Sequence, residues 1–420
     1  MSGKKVISML LSLVVLSAVL LSACAPAATQ APAAPAATQP PAAAPAATVA
    51  PAAPAATEAP AAPAAPALPD VIKIGVNETM TGWGAPYGDM TWKGIQLANK
   101  QRPEVLGKKV ELVLVDNKSE KSESAIAAQR LVEVEKVAAV LGVNSSSMAM
   151  AQNEVLDKSK IISVGPACTN PLVTQGKPYA FRAAFIDPFQ GDAAAKFAVN
   201  ELKAKTAVLL VDITLDYPVG LSNYFRQSFI KYTENEKAIL ASYSFQTGDR
   251  DFTAQLTQIK SLNPDIVFAP NEYAEEAAIL QQAKQLGIKS LFLAGDSADV
   301  PELAQIAGAN ANGFMYTAQF HPDAYTTPEA KKFIDGFRAE YNIEPETFSV
   351  TGYDAYMMLL DGIERAGSLD SDAIKAAMEE GNLIGARGTI SFDDSHNAVV
   401  SLPVIEIQDG KKLFRALVQP

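Results

Sequence analysis

From Val71 onward, short apolar runs alternate with stretches whose apolar residues recur at helical spacing. VIKIGV, VELVLVD, VAAVLGV and IISVG are rich in β-branched residues and bounded by polar or glycine-bearing turns, which predicts strands. WKGIQLANKQ, SAIAAQRLVEVEK and MAMAQNEVLDK lie between them and predict amphipathic helices. The alternation then repeats from about Gln190 to Thr317. There TAVLLVD, AILASYSF, DIVFAP, SLFLAG and GFMYTA predict strands, and the segments through YFRQSFIKY, FTAQLTQIKSL and EEAAILQQAKQLG predict helices. Strand–helix alternation of this kind gives α/β units with parallel sheets covered on both faces. Between the two units, AFRAAFIDPFQGD predicts an extended crossing strand. After Thr317 the chain is largely helical through Glu380. RGTISFDD follows, then an antiparallel pair, VVSLPVIEIQDGKKLFRAL, whose Gln-Asp-Gly suits a hairpin turn.

The amino-terminal 69 residues follow a different pattern. MSGKK is positively charged, VISMLLSLVVLSAVL is apolar, and LSAC closes at Cys24. A charged start, a short apolar core and a small-residue cleavage site predict an export signal over residues 1–23. A membrane-spanning helix is the alternative, but the run is short for that and no charged stop follows. LSAC is similar to a bacterial lipobox, in which cleavage leaves Cys24 as the lipidated first residue. The Ala/Pro tract over residues 24–69 carries almost no charge and no large apolar residue before Leu68. It cannot build a core and favours polyproline II, a semi-rigid spacer that at ~3 Å per residue reaches on the order of 100 Å.

Composition narrows the chemistry. Of 420 residues two are cysteines and two histidines; Cys168 is the only cysteine beyond Cys24, and His321 and His396 lie in predicted loops. No intrachain disulfide, metal centre or cofactor is expected, and no Ser/His/Asp or Cys/His constellation is legible, so the chain does not read as an enzyme. The formal net charge of −11, or −13 once Lys4 and Lys5 leave with the signal, argues against nucleic acid and against electrostatic binding to anionic lipid.

In open α/β sheets ligands bind beyond the carboxyl ends of strands, so the loops there hold the candidate site. GVNETMTGWGAPYGD follows the first strand. Its glycines, Gly82, Gly84 and Gly88, give G-x-G-x-x-x-G rather than the dinucleotide spacing, although Asp116 ends the next strand where a ribose-binding acid would stand. A tight turn presenting Trp83 and Tyr87 to a cleft is the simpler reading. Ser145, Ser146 and Ser147 open a helix, where free N–H groups and hydroxyls suit an anion, and Thr169 lies in a second loop of the same half. The other half offers Asp216–Tyr217, Glu272–Tyr273 and Asp296, whose acids suit an ammonium group. Carboxylate acceptors on one half and ammonium acceptors on the other fit an α-amino acid held between lobes.

Taken in order, IKIGV…TG…APYGD, the SSS run, PACTNP, FRAAFIDPFQGDAAA, GDRDFTAQLTQIK, LQQAKQLGIKS and RGTISFD make the chain from about Asp70 to its end resemble the leucine/isoleucine/valine-binding proteins of bacterial ABC transporters. The resemblance implies a periplasmic-binding-protein-like fold of two doubly wound parallel-sheet lobes joined by three hinge crossings. The lobes would comprise residues 70–188 plus about 319–395, and 189–318 plus about 396–420. It implies that Ser145 and Thr169 bind the ligand α-carboxylate and that the Ala167 carbonyl takes the α-ammonium with Asp296, where the family has glutamate. Tyr87 and Tyr217 would line the pocket. Glu272 departs from the pattern, standing where a pocket tyrosine is expected: either it faces a polar or cationic side chain, or the register shifts and Tyr273 fills the place. Cys168 reads as a packed small residue.

The expected function is that of a monomeric, lipid-anchored solute-binding protein on the outer face of the bacterial cell membrane, delivering an amino acid of the branched-chain type or a related polar amino acid to ABC permease subunits. Alternatives are a ligand-sensing receptor module, a binder of amides, urea-like compounds or aromatic acids, and an exported oxidoreductase.

Overall fold

A computed structural model describes residues 68–420. The expected signal, Cys24 and all but the last two residues of the Ala/Pro tract lie outside them. Two sheets organise the described chain. The first has six strands in the order Glu104–Val105, Lys108–Asp116, Val71–Glu78, Ala139–Leu141, Ile162–Gly165 and Ala180–Arg182. All its pairings are parallel except that of the short edge strand Glu104–Val105. Its two faces are buried separately. Ile74 and Leu141 join the main core, whereas Val140 packs with Ala128, Leu131 and Leu156 on the opposite side. Burial on both faces is why these strands read as continuous apolar runs.

The second sheet has seven strands in the order Lys411–Val418, Leu402–Gln408, Phe314–Thr317, Leu291–Ala294, Ile266–Phe268, Ala207–Asp212 and Ile239–Phe245. Its core includes Phe225 stacked on Phe268 with ring centroids 3.9 Å apart. Its last two strands form the expected hairpin. Gln408 pairs with Lys411, and Asp409 and Gly410 both take positive φ (51° and 71°), the geometry of a tight two-residue turn.

The chain passes between the sheets three times. It leaves the first after Arg182 and enters the second at Ala207. After Thr317 it returns, and helix Thr347–Ala366 packs on helix Ala85–Gln101, which follows the first strand. A small sheet of Leu383–Gly385, Gly388–Phe392 and Ala398–Val399 precedes the last passage into Leu402–Gln408.

One expectation needs correction. AFRAAFIDPFQGD is not an extended crossing throughout: Ala180–Arg182 adds a sixth strand to the first sheet, and a helix starts at Asp187. Pro188 sits in that helix's first turn, where its missing N–H costs nothing.

Arg387 ties the passages together. Its Nη2 donates to the Ala183 carbonyl on the first passage (2.7 Å), its Nη1 to Gln319 Oε1 on the second (3.1 Å), and its Nε to Asp354 Oδ2 on helix Thr347–Ala366 (2.8 Å). The side chains of both members of the Arg387–Asp354 pair are fully buried.

Candidate functional site

The first-strand turn is built as a presenting loop. Asp116 does not face a ligand: its carboxylate accepts from the N–H groups of Met80, Thr81 and Lys118 and from the Thr81 hydroxyl. Partial burial pushes its carboxyl up, but the four donors together hold it below the ordinary carboxylate value. Ser119 Oγ accepts from the Gly84 N–H at 3.1 Å, and Gly82 takes φ +86° at a point where a Cβ would lie only 2.5 Å from Ser119 Oγ. The acid and glycines that suggested a nucleotide loop are therefore consumed in folding the turn. What it presents is Trp83 and Tyr87, whose rings meet edge to face at 6.4 Å.

These rings help to line a small cavity between the strand ends of the two sheets. Tyr87, Ser145, Ala167, Tyr217, Glu272 and Asp296, all expected site residues, stand on its wall. Ser145 is the N-cap of helix Ser146–Lys158, with extended backbone and no side-chain cap bond, so its hydroxyl is uncommitted beside free helix N–H groups. Ser146 Oγ accepts instead from the N–H groups of Thr169 (3.3 Å) and Asn170 (3.1 Å), pinning the loop that carries Ala167.

Across the cavity, Asp296 is 3% exposed. Its Oδ1 accepts from Gln190 Nε2 (2.9 Å) and the Tyr217 hydroxyl (3.0 Å), and its Oδ2 from Gln319 Nε2 (2.9 Å). Burial pushes this carboxyl above its ordinary value, a rise the three donors only partly offset. Gly295 precedes it because a Cβ there would lie 2.0 Å from the Tyr217 hydroxyl oxygen.

Glu272 faces the cavity, whereas the Tyr273 side chain does not; this answers the register question the sequence left open. Tyr273 packs edge-on against Tyr87 at 5.5 Å, lines the wider cleft outside, and donates its backbone N–H to the Tyr87 hydroxyl (2.9 Å). Burial pushes the Glu272 carboxyl up to about 8; the Tyr87 hydroxyl lowers it, and Glu275, Asp212 and Asp296 raise it further.

Thr169 is the other expected residue missing from the wall. It is buried, and its hydroxyl has no hydrogen-bond partner among the described residues. Cys168 is a buried thiol pushed up to about 11 by burial, as suits a packing residue. Five wall residues were not among the expected ligand contacts: Trp83, Asn144, Ser146, Ser297 and Phe348. Ser146 lay inside the serine run already singled out. Phe348 opens a helix some 260 residues after Tyr87, and its ring, 4.7 Å from that of Tyr87, had no local signal. Neither His321 nor His396 is on the wall. Among the described residues no helix is long and apolar enough to cross a membrane, and no His/Cys/Asp/Glu group has metal-binding geometry.

Two α/β lobes, three passages and a cavity of aromatic and polar side chains at the strand ends between them define a two-lobed binding protein. The chain belongs to the periplasmic binding protein family, whose pattern matches residues 71–412. It is 43% identical to a leucine-binding protein of Thermotoga maritima, covering 83% of this chain and 99% of that one, with a TM-score of 0.80. A branched-chain amino acid substrate-binding protein of Streptococcus pneumoniae, solved with isoleucine, is 33% identical over 83% of this chain and all of that one, with a TM-score of 0.78. A Leu/Ile/Val-binding protein homologue of Brucella melitensis is 30% identical over 348 residues, 81% of this chain and 92% of the relative.

Proposed function

We propose that the protein is an extracytoplasmic solute-binding lipoprotein of an ABC importer, anchored through Cys24, which captures an α-amino acid between its lobes by closing around it and delivers it to membrane permease subunits. The observation that carries this reading is the division of the cavity wall. Ser145 and the N–H groups of its helix offer donors to an α-carboxylate, while Asp296 faces them from the other sheet with acceptor capacity left for an α-ammonium. The Ala167 carbonyl would share the ammonium. The Thr169 hydroxyl, buried without a partner among the described residues, would join Ser145 at the α-carboxylate. Tyr87, Tyr217, Trp83 and Phe348 would surround the side chain.

Closure is a population shift. A ligand that touches both lobes favours the state in which they meet, by the difference in its affinity for the two states. The test is thermal unfolding of the protein after denaturation and refolding have stripped carried-over ligand, against single amino acids, amides and small carboxylates. A ligand bound only by the native state raises the midpoint. A rise with one or more amino acids supports the reading; a rise only with amides or aromatic acids, or no rise at all, overturns it.

A further inference from the structure

The Glu272 side chain does not cap its helix: Glu272 is the N-cap of helix Tyr273–Leu286, yet its side chain makes no cap hydrogen bond. Its neighbours in the chain do have structural work: Glu275 accepts from the Gly248 N–H at 3.0 Å, and Glu276 from Asn271 Nδ2 at 3.4 Å. The Glu272 carboxyl turns into the cavity instead, at 7% residue exposure, and the donor beside it is the Tyr87 hydroxyl. Asp296, by contrast, receives three protein donors.

The cavity wall therefore carries two carboxyl groups and no lysine, arginine or histidine. The groups that shift Glu272 most are Tyr87, Glu275, Asp212 and Asp296, none of them cationic. Lys121 and Arg250 line the outer cleft that Glu272 borders, and Lys121 is engaged by Asp216 at 2.9 Å. Arg250 lies 4.0 Å from Glu275 and is turned to that residue. Asp296 is matched by an α-ammonium, and an α-carboxylate by the helix N-terminus at Ser145. Glu272 is then left over, and a buried carboxylate without a partner is costly. Trp83, Tyr87 and Phe348 stand on the same wall, and aromatic faces favour a cation and cover its methylene stem. Trp83 and Glu272 also border the wider open cleft, so a charged side-chain end placed there keeps part of its water.

We infer that the ligand is an α-amino acid whose side chain ends in a cationic nitrogen, with Glu272 as the residue that receives it. This rests on the amino-acid reading of the site above. A neutral aliphatic side chain would leave Glu272 without a cation, with the Tyr87 hydroxyl as its donor. A basic one supplies the missing charge and, because burial keeps the empty-site carboxyl protonated up to about pH 8, displaces its proton on binding.

The test is isothermal titration calorimetry of the ligand-stripped protein at pH 7 with lysine, ornithine, arginine, glutamine, leucine, isoleucine and valine, in two buffers of different ionisation enthalpy. At least one basic amino acid is expected to bind about tenfold or more tighter than leucine, with net proton release. Glu272→Gln is expected to cut that affinity roughly 10- to 100-fold, the scale of a charge-assisted hydrogen bond, and to remove the proton release. If leucine, isoleucine, valine or glutamine binds as tightly as every basic amino acid, the inference falls while the amino-acid reading stands. If no amino acid binds, that reading falls and takes the inference with it. The wild-type panel decides the question even should the variant fail to fold.

Discussion

Ser147 and Asp216 exchange two hydrogen bonds across the gap between the sheets: the Ser147 hydroxyl donates to Asp216 Oδ2 at 2.7 Å, and the Asp216 N–H donates to Ser147 Oγ at 3.0 Å. Each opens a helix at the strand ends of a different sheet. Lys121 reaches the same carboxylate at 2.9 Å, and Asn170 Nδ2 donates to the Asp216 carbonyl at 3.1 Å. Four contacts thus converge on one residue and hold the two strand-end faces together around the cavity. Replacing Asp216 by Ala is expected to weaken ligand binding by roughly 1–2 kcal/mol, since the lysine pair is exposed and screened and the remaining bonds are individually modest. Titrations at low and high salt check it: the variant should lose most of the salt dependence along with the affinity. An unchanged affinity would show that Asp216 does not favour the closed form.

Asp296→Ala is expected to abolish measurable amino-acid binding while leaving the fold intact. The ligand ammonium would then be buried without its carboxylate, a loss of about 3–5 kcal/mol. Gln190, Gln319 and Tyr217 would lose a shared acceptor, so a modest fall in thermal midpoint should accompany it. Calorimetry paired with circular dichroism separates the two effects, and retained binding would remove Asp296 from the ammonium role.

Arg387→Met should act on stability first. It leaves Asp354 buried without its cation and frees the Ala183 carbonyl and the Gln319 amide oxygen, for an expected loss of about 3–5 kcal/mol in denaturant unfolding. Gln319 is also the donor to Asp296 Oδ2, so the amide that Arg387 orients is one step from the ligand. Affinity should therefore fall in addition to stability. Restoring the midpoint with an osmolyte without restoring affinity would demonstrate that second effect.

Stability of the unliganded protein should fall as pH rises. Burial pushes Glu78 and Glu346 up to about 8 and Asp187 up to about 7. Each keeps its proton in the native state over a range where the unfolded chain has already lost it. The contribution of these groups to native stability is thus fully present below the ordinary carboxylate value, declines as pH climbs, and is gone by about pH 8. Glu78→Gln keeps an acceptor for Asn144 and removes one titrating group. Urea unfolding at pH 5.5 and 8 should show a smaller difference in this variant than in the wild type; an equal difference would mean that Glu78 does not titrate in that window.

Cys24→Ala should release the protein from membranes into the soluble fraction, read by fractionation of producing cells. Persistent membrane association would overturn the lipobox reading.

Most of the fold was legible because parallel strands buried on both faces write themselves as apolar runs, and their helices keep a regular polar face. The Ala180–Arg182 strand was harder. It is three residues long and merges into the passage that follows, so no turn separates them. The candidate site was legible at the strand ends, where the serine run, Asp296 and the aromatic residues of the first turn line one cavity. Phe348 was not, because a ring at the start of a helix far along the chain looks like any core residue until folding brings it to Tyr87. Glu272 and Tyr273 were indistinguishable in sequence, since at a helix N-cap one residue of register decides which side chain enters the cavity.

Helix Thr347–Ala366 covers helix Ala85–Gln101, from which more than 240 residues separate it along the chain. Contacts of such long sequence separation form slowly. A chain synthesised from its amino terminus therefore makes the first sheet early but lacks one of the helical layers that bury it until residue 366 has emerged. On the export reading proposed above, that order of assembly is an advantage. The polypeptide stays open enough to thread through a membrane channel, and the piece that completes its first lobe arrives among the last.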